Sequence, residues 1–345
     1  MRCSKIVSFC LIIGLVMIAA QMPLFGQSPV ILRPLETIET YPSNTEARQN
    51  VPVIGCIDLD PSGQFLAFGG DDYRVRVLCI PTRQRLDLPR RFDSWIRGVT
   101  FCPDKRKLAA IAQNGSVQVW SVSAISPQTG LPTLRELFSF RVGPLGIQRG
   151  AHSVAFSPDG SLLAVAGFDS TVVIVNATNG RLVRTLQAPS TGSRTVMFSP
   201  DGSRLAVAGL YDTVRIWNVT DGSIAFDMVT DNRRVNALAF NQDGSLLAVG
   251  GESPFVSVWN LANGRNVLTF PERPGKTFSL AFCGNNLLAS GESDNAIRLW
   301  RLDRQEQVAT LLGHTGTVGT LAYDAATNRL VSGSFDTTIR IWALP

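Results

Sequence analysis

His152 and His314 are the two histidines of a 345-residue chain, and they limit the chemistry it can host. Nucleophilic hydrolysis by a Ser–His–Asp set needs a base hydrogen-bonded to a nucleophile. No nucleophile motif accompanies either histidine. Carboxylates recur at Asp72, Asp169, Asp212, Asp294 and Asp336. Such a series could hold a metal or act as a glycosidase pair. Asp also suits tight turns, where it accepts backbone hydrogen bonds. Its recurrence with a regular period favours that structural role. His-Glu-x-x-His, a phosphate-binding glycine loop and a calcium loop are all missing from the sequence. The reading is therefore of a non-enzyme with no catalytic residue, cofactor or metal.

Thiol chemistry depends on compartment. Residues 1–5 carry Arg2 and Lys5, and Ile6–Ala20 is apolar apart from Ser8. A charged start followed by an apolar run is an export signal. The expected organisation is residues 1–27 as a signal peptide or uncleaved anchor, 28–50 as an N-terminal segment, and 51–345 as the folded domain. The expected location is the periplasm, the secreted fraction or the outer side of a membrane, with that anchor as the one membrane link. Export allows disulfides to persist. Cys56, Cys79, Cys102 and Cys283 could pair in three ways; the favoured reading is that most are small buried apolar residues.

Charged residues make up 17% of the chain, which excludes a disordered polyelectrolyte. Without the signal, 30 basic residues face 27 acidic ones, so the mature net charge is +3. Arg83, Arg85, Arg90, Arg91 and Arg97 lie among Phe92 and Trp95, with Lys105–Lys107 beyond. Basic residues with aromatics can bind nucleic acid. Asp87, Asp93 and Asp104 offset them, so a solvated face is expected and no nucleic-acid partner.

The elements that position these residues follow from a repeat. A short β-branched pattern recurs as Val75–Leu78, Val117–Trp120, Val172–Val175, Val214–Trp217, Val256–Trp259, Ile297–Trp300 and Ile339–Trp342. Its steps are 42, 55, 42, 42, 41 and 42 residues. In phase with it, strands end in turns such as Ser157-Pro-Asp-Gly160 and Ser199-Pro-Asp-Gly202. Pro presets φ, Asp bonds nearby backbone and Gly accepts positive φ. Each unit thus has three clear strands and a weaker outer one, such as Leu182–Leu186 or Ile224–Met228. Strands apolar on both faces need a sheet neighbour on each side, which radial stacking supplies. The expected fold is all-β, a seven-bladed β-propeller of four-stranded antiparallel blades.

These residues resemble the WD-repeat propeller family over about residues 51–345. In that family a His, a Ser or Thr, an Asp and the Trp form a structural hydrogen-bonded set. The last repeat matches it whole, with His314, Ser332, Asp336 and Trp342. The sixth has Ser290, Asp294 and Trp300 without the His, and Leu78 and Val175 replace Trp in the first and third. The resemblance implies that an N-terminal strand closes the ring; Val30–Ile38 is the candidate for the outer strand of the seventh blade. It also implies a non-catalytic platform for a protein partner of unknown identity. The alternative is a propeller that uses its central channel for a small ligand or for catalysis.

The 55-residue step carries two extensions, expected as loops at Ser123–Thr133 and Gly143–Gly150. His152 aligns with Arg97, Arg194, Asn236, Phe278 and Gly319, a column placed near the channel mouth. With the neighbouring loop positions, the expected partner surface is Trp95, Arg97, His152, Arg194, Arg234 and Lys276.

Overall fold

The computed structural model describes residues 29–40, 52–89, 92–126, 129–142, 151–167, 170–189 and 192–345. The expected export segment and residues 143–150 lie outside them. The described chain is all β, with seven sheets arranged as a propeller. Blade one runs Ile54–Leu59, Phe65–Gly70, Val75–Cys79 and Arg85–Asp87, from the channel outward. The inner strands of blades two to seven are Ile96–Phe101, Ala151–Phe156, Ser193–Phe198, Val235–Phe240, Thr277–Cys283 and Val318–Asp324.

The core is distributed. Seven apolar clusters fill the spaces between successive blades, from the first against the second round to the seventh against the first. This explains the two-faced apolar strands. Val214, Ile216 and Trp217 in Thr213–Asn218 are all buried. Leu78 and Val175 fill the tryptophan position in blades one and three and are buried too.

The turns at the lower end, between first and second strands, match their residues. In blade three the Asp159 carboxylate accepts from the Ser161 N–H at 3.0 Å, and the Gly160 N–H donates to Ser157 O at 2.8 Å. Gly160, Gly202 and Gly244 adopt φ of 69°, 73° and 72°, a region costly for other residues.

The N-terminal segment divides its work. Glu36–Glu39 pairs antiparallel with Thr338–Ala343 and is the outer strand of blade seven. Val30–Leu32 does not join that blade. It pairs parallel with Glu306–Leu311, giving blade six a fifth strand. Pro34 lies between the two short strands, where it interrupts no ladder.

Blade two corrects one expectation. Both ends of Ser123–Thr133 are sheet rather than loop, because Ser116–Ile125 and Pro132–Arg141 form a hairpin of two ten-residue strands in which Thr133 pairs with Ser123. Ser123 Oγ donates to Thr133 O at 3.2 Å. The serines and β-branched residues there can continue a ladder beyond the core.

Candidate functional site

Every inner strand carries the same irregularity. Its second residue is skipped by the ladder to the next strand, so the register shifts at Gly55, Arg97, His152, Arg194, Asn236, Phe278 and Gly319. A β-bulge re-aims the side chain of its extra residue. All seven residues line one channel of about 410 Å³. They sit at its upper end, where the inner strands begin.

The ring is chemically lopsided. Blades two, three and four present Arg97, His152 and Arg194, whereas blades seven and one present Gly319 and Gly55. Arg97 Nη2 donates to Gln113 Oε1 at 2.7 Å, and its guanidinium lies 4.9 Å from the centre of the Trp95 ring. Arg194 Nη1 donates to Asn236 Oδ1 at 2.9 Å, and Asn236 Nδ2 donates to Thr277 O at 3.0 Å. Burial, reinforced by Arg97 and Arg194, lowers the His152 pKa to about 4, so the ring is neutral at pH 7.

Arg234 and Lys276 lie on the rim instead. They flank Glu252, with nitrogen–oxygen distances of 3.3 and 3.7 Å. Trp95 precedes the second inner strand and is 42% exposed. The six expected partner residues therefore fall into two tiers. Arg97, His152 and Arg194 line the channel, and Trp95, Arg234 and Lys276 edge it. Two exposed aromatics were not anticipated from sequence: Tyr211, 57% exposed, and Phe335, 43% exposed. Both lie on upper-end turns between second and third strands. Phe335 packs edge-on against Phe278 with centroids 6.4 Å apart. Alignment of those turns would have shown an aromatic next to each turn aspartate, Asp212 and Asp336.

The basic stretch between Arg83 and Lys107 does not form one face. Phe92 is buried and meets Trp120 edge-on at 6.4 Å. Arg83 pairs with Glu36, and Arg85 Nη1 donates to Thr40 O at 2.7 Å, so both grip the N-terminal segment. Arg90 and Arg91 lie outside the described residues.

In blade seven His314 Nδ1 is 2.8 Å from Asp336 Oδ2, and His314 Nε2 is 2.8 Å from Ser332 Oγ. Trp342 Nε1 donates to the same hydroxyl at 2.8 Å. Burial alone would raise the Asp336 pKa. The bonds from His314, the Thr315 N–H and the Thr338 hydroxyl outweigh it and hold that carboxyl well below the usual range. These groups are engaged with one another, away from the channel lining.

Blade six replaces the histidine by ions. Trp300 Nε1 donates to Ser290 Oγ at 3.0 Å, and Ser290 donates to Glu292 Oε1 at 2.8 Å. Glu292 takes Arg273 at 2.6 Å and also pairs with Arg298, which holds Asp294 at 2.6 Å. Cys56, Cys79, Cys102 and Cys283 are all buried and unbridged. Among the described residues, no three His, Cys, Asp or Glu gather as a metal site.

The repeat geometry has direct counterparts in other proteins. The WD domain, G-beta repeat family matches residues 180–218, 228–260 and 305–343. The chain is a β-propeller that carries WD repeats. A further match, to the anaphase-promoting complex subunit 4 WD40 domain, covers residues 137–197. Among individual WD-repeat relatives, the periodic tryptophan protein 2 homolog of Neurospora crassa is 28% identical over 38% of this chain and 15% of its own length. Cell division control protein 4 of Saccharomyces cerevisiae is 39% identical over 17% of this chain and 8% of its own. The probable cytosolic iron-sulfur protein assembly protein 1 of N. crassa is 39% identical over 21% and 18%. The WD repeats of this chain thus align with less than a fifth of each of these relatives.

Proposed function

We propose that this WD-repeat propeller is a non-catalytic protein-interaction scaffold that works outside the cytoplasm and binds its partner on the upper face. The observation that carries the reading is the rim itself. Trp95, Tyr211 and Phe335 are exposed around a mouth that also carries Arg234 and Lys276. Aromatic and arginine side chains dominate binding energy at protein interfaces. Family membership supports the same view, because WD repeats present rigid surfaces on which loops and rims carry specificity. The location rests on the charged and apolar start of the chain.

The test is affinity purification of the tagged chain from envelope and secreted fractions, with mass spectrometry of what co-elutes. A protein partner lost from Trp95→Ala and Tyr211→Ala variants supports the scaffold. A partner retained by both variants removes this face, and recovery of the chain from the cytoplasm alone removes the location.

A further inference from the structure

The basic arc of the channel is positioned but not neutralised. Arg97 and Arg194 are each tied by a neutral amide, Gln113 and Asn236, and neither makes an ion pair among the described residues. The Nε of each is buried with no hydrogen-bond partner. A buried donor left unmade costs about 1–3 kcal/mol, so two of them on one arc mark a place awaiting an acceptor. Like charge compounds the cost. Burial lowers the pKa of both guanidiniums; Arg194 lowers that of Arg97 further against an opposing pull from Cys56, and Arg234 does the same to Arg194, partly offset by Glu252. Asp58 is the one acidic residue lining the channel among the described residues, and it accepts the Phe101 N–H at 2.7 Å. Glu252, the nearby rim carboxylate, faces Arg234 and Lys276.

We infer that the channel binds one anionic group, a carboxylate or phosphate, held between Arg97 and Arg194 beside His152. Guanidinium forks match both anions in shape and charge. A concave site with one sign of charge and low-dielectric walls concentrates the opposite ion. The glycines at Gly55 and Gly319 leave the far side of the ring without side chains, so the group has room opposite the arc. This site is independent of whether a protein sits on the rim.

The experiment is calorimetric titration of the purified full chain with inorganic phosphate, with succinate and with a glutamate-rich hexapeptide. Saturable 1:1 binding is expected, weakened about tenfold or more, or about 1.4 kcal/mol, in Arg97→Gln and in Arg194→Gln. Arg181→Gln, on the exposed lower-end turn between the third and fourth strands of blade three, should leave it unchanged. Asn236→Asp supplies a competing carboxylate beside Arg194 and should weaken binding while leaving both arginines in place. Binding of phosphate or succinate identifies a free anion as the ligand; binding of the hexapeptide alone identifies an acidic side chain carried by a partner. Repeating the titration in two buffers at pH 6 adds a second readout, because an anion beside His152 should drive proton uptake. No binding by any of the three, or equal loss in Arg181→Gln, overturns the inference. Neither result bears on partner capture by Trp95 and Tyr211.

Discussion

Arg273 lies 2.6 Å from Glu292, with side chains only 1% and 0% exposed, in the place where blade seven uses a histidine. Both blades solve the same problem, which is to tie a strand-final tryptophan to a serine hydroxyl and that hydroxyl to the turn before the inner strand. Blade seven does it with a histidine held by a single carboxylate, whereas blade six buries a glutamate between two arginines.

The ion set makes blade six sensitive to losing one partner. Glu292→Gln should destabilise the protein by about 3–5 kcal/mol, because it leaves Arg273 buried and uncompensated. The double change Arg273→Met with Glu292→Leu should recover most of that loss, as apolar replacements of buried pairs often do. Denaturant melts of the three proteins check it. A double variant no better than Glu292→Gln would mean that the ions are needed for packing.

In blade seven, Ser332→Ala removes the hydroxyl shared by His314 and Trp342. The expected cost is about 1–3 kcal/mol for stranding buried donors. Trp342→Ala should cost more, about 3–5 kcal/mol, through the cavity it leaves. Equilibrium unfolding would rank the two. A larger loss for Ser332→Ala would mean that the shared hydroxyl holds the blade more firmly than the packing of the indole ring.

The two N-terminal strands should separate in their effects. A chain shortened to begin after Arg33 loses only the fifth strand of blade six and should melt within about 2 °C of the intact one. Removal through Thr40 exposes the edge of Thr338–Ala343 and releases Arg83 and Arg85. That should lower the melting temperature by roughly 5–10 °C. Equal melting of both truncations would show that Glu36–Glu39 does not hold the ring.

Two channel groups give opposite pH dependences. Burial raises the Asp58 pKa from 3.8 to about 7, so the folded state binds more protons than the unfolded one. The stability it contributes is present below pH 4 and lost as pH rises toward 7. His152 has its pKa lowered from 6.5 to about 4, so its contribution is present above pH 6.5 and lost as pH falls toward 4. In the wild type these slopes offset each other. Relative to it, Asp58→Asn should gain melting temperature as pH rises from 4 to 7, and His152→Gln should gain as pH falls from 7 to 4. Differences that do not change with pH would exclude both titrations.

The thiols should be silent in the folded protein. Burial pushes the pKa of Cys56, Cys102 and Cys283 to about 12. The thiolate is the reactive form, so a thiol reagent at pH 8 should label these three only after denaturation. Peptide mapping before and after guanidinium checks this, and rapid native labelling of Cys56 would contradict its burial.

The blade plan was legible because it repeats. The phased Trp strands and Pro-Asp-Gly turns each report a local backbone demand, and seven copies average out the exceptions. The ring column was legible for the same reason, since Arg97, Arg194, Asn236, Phe278 and Gly319 align with His152. The bulge that turns them inward was not legible, because it changes pairing without requiring a particular residue. Glu292 left a signal that went unread. The equivalent positions hold Gly70, Ala112, Gly167, Gly209, Gly251 and Ser334, small residues in every other blade. At Gly251 a Cβ would come within 1.8 Å of Arg234 O, so a glutamate in that column requires its own surroundings. The parallel strand Val30–Leu32 had no local signature, as three residues on a sheet edge carry too little pattern to specify a partner some 280 residues away.

The seven bulged residues amount to a dial that can be reset without rebuilding the instrument. Each stands outside the first ladder of its blade, so exchanging it alters neither strand register nor the clusters between blades. Relatives on the same scaffold could acquire new selectivity by rewriting one position per blade, and an engineer could do the same. Gly55 and Gly319 are the two blanks. They are not equally free, since a Cβ at Gly319 would stand 3.1 Å from the Phe335 ring and one at Gly55 would stand 3.3 Å from Ile96 O. Writing at Gly319 would therefore also shift an exposed aromatic on the rim, so a change of occupant inside the channel would be felt on the face above it.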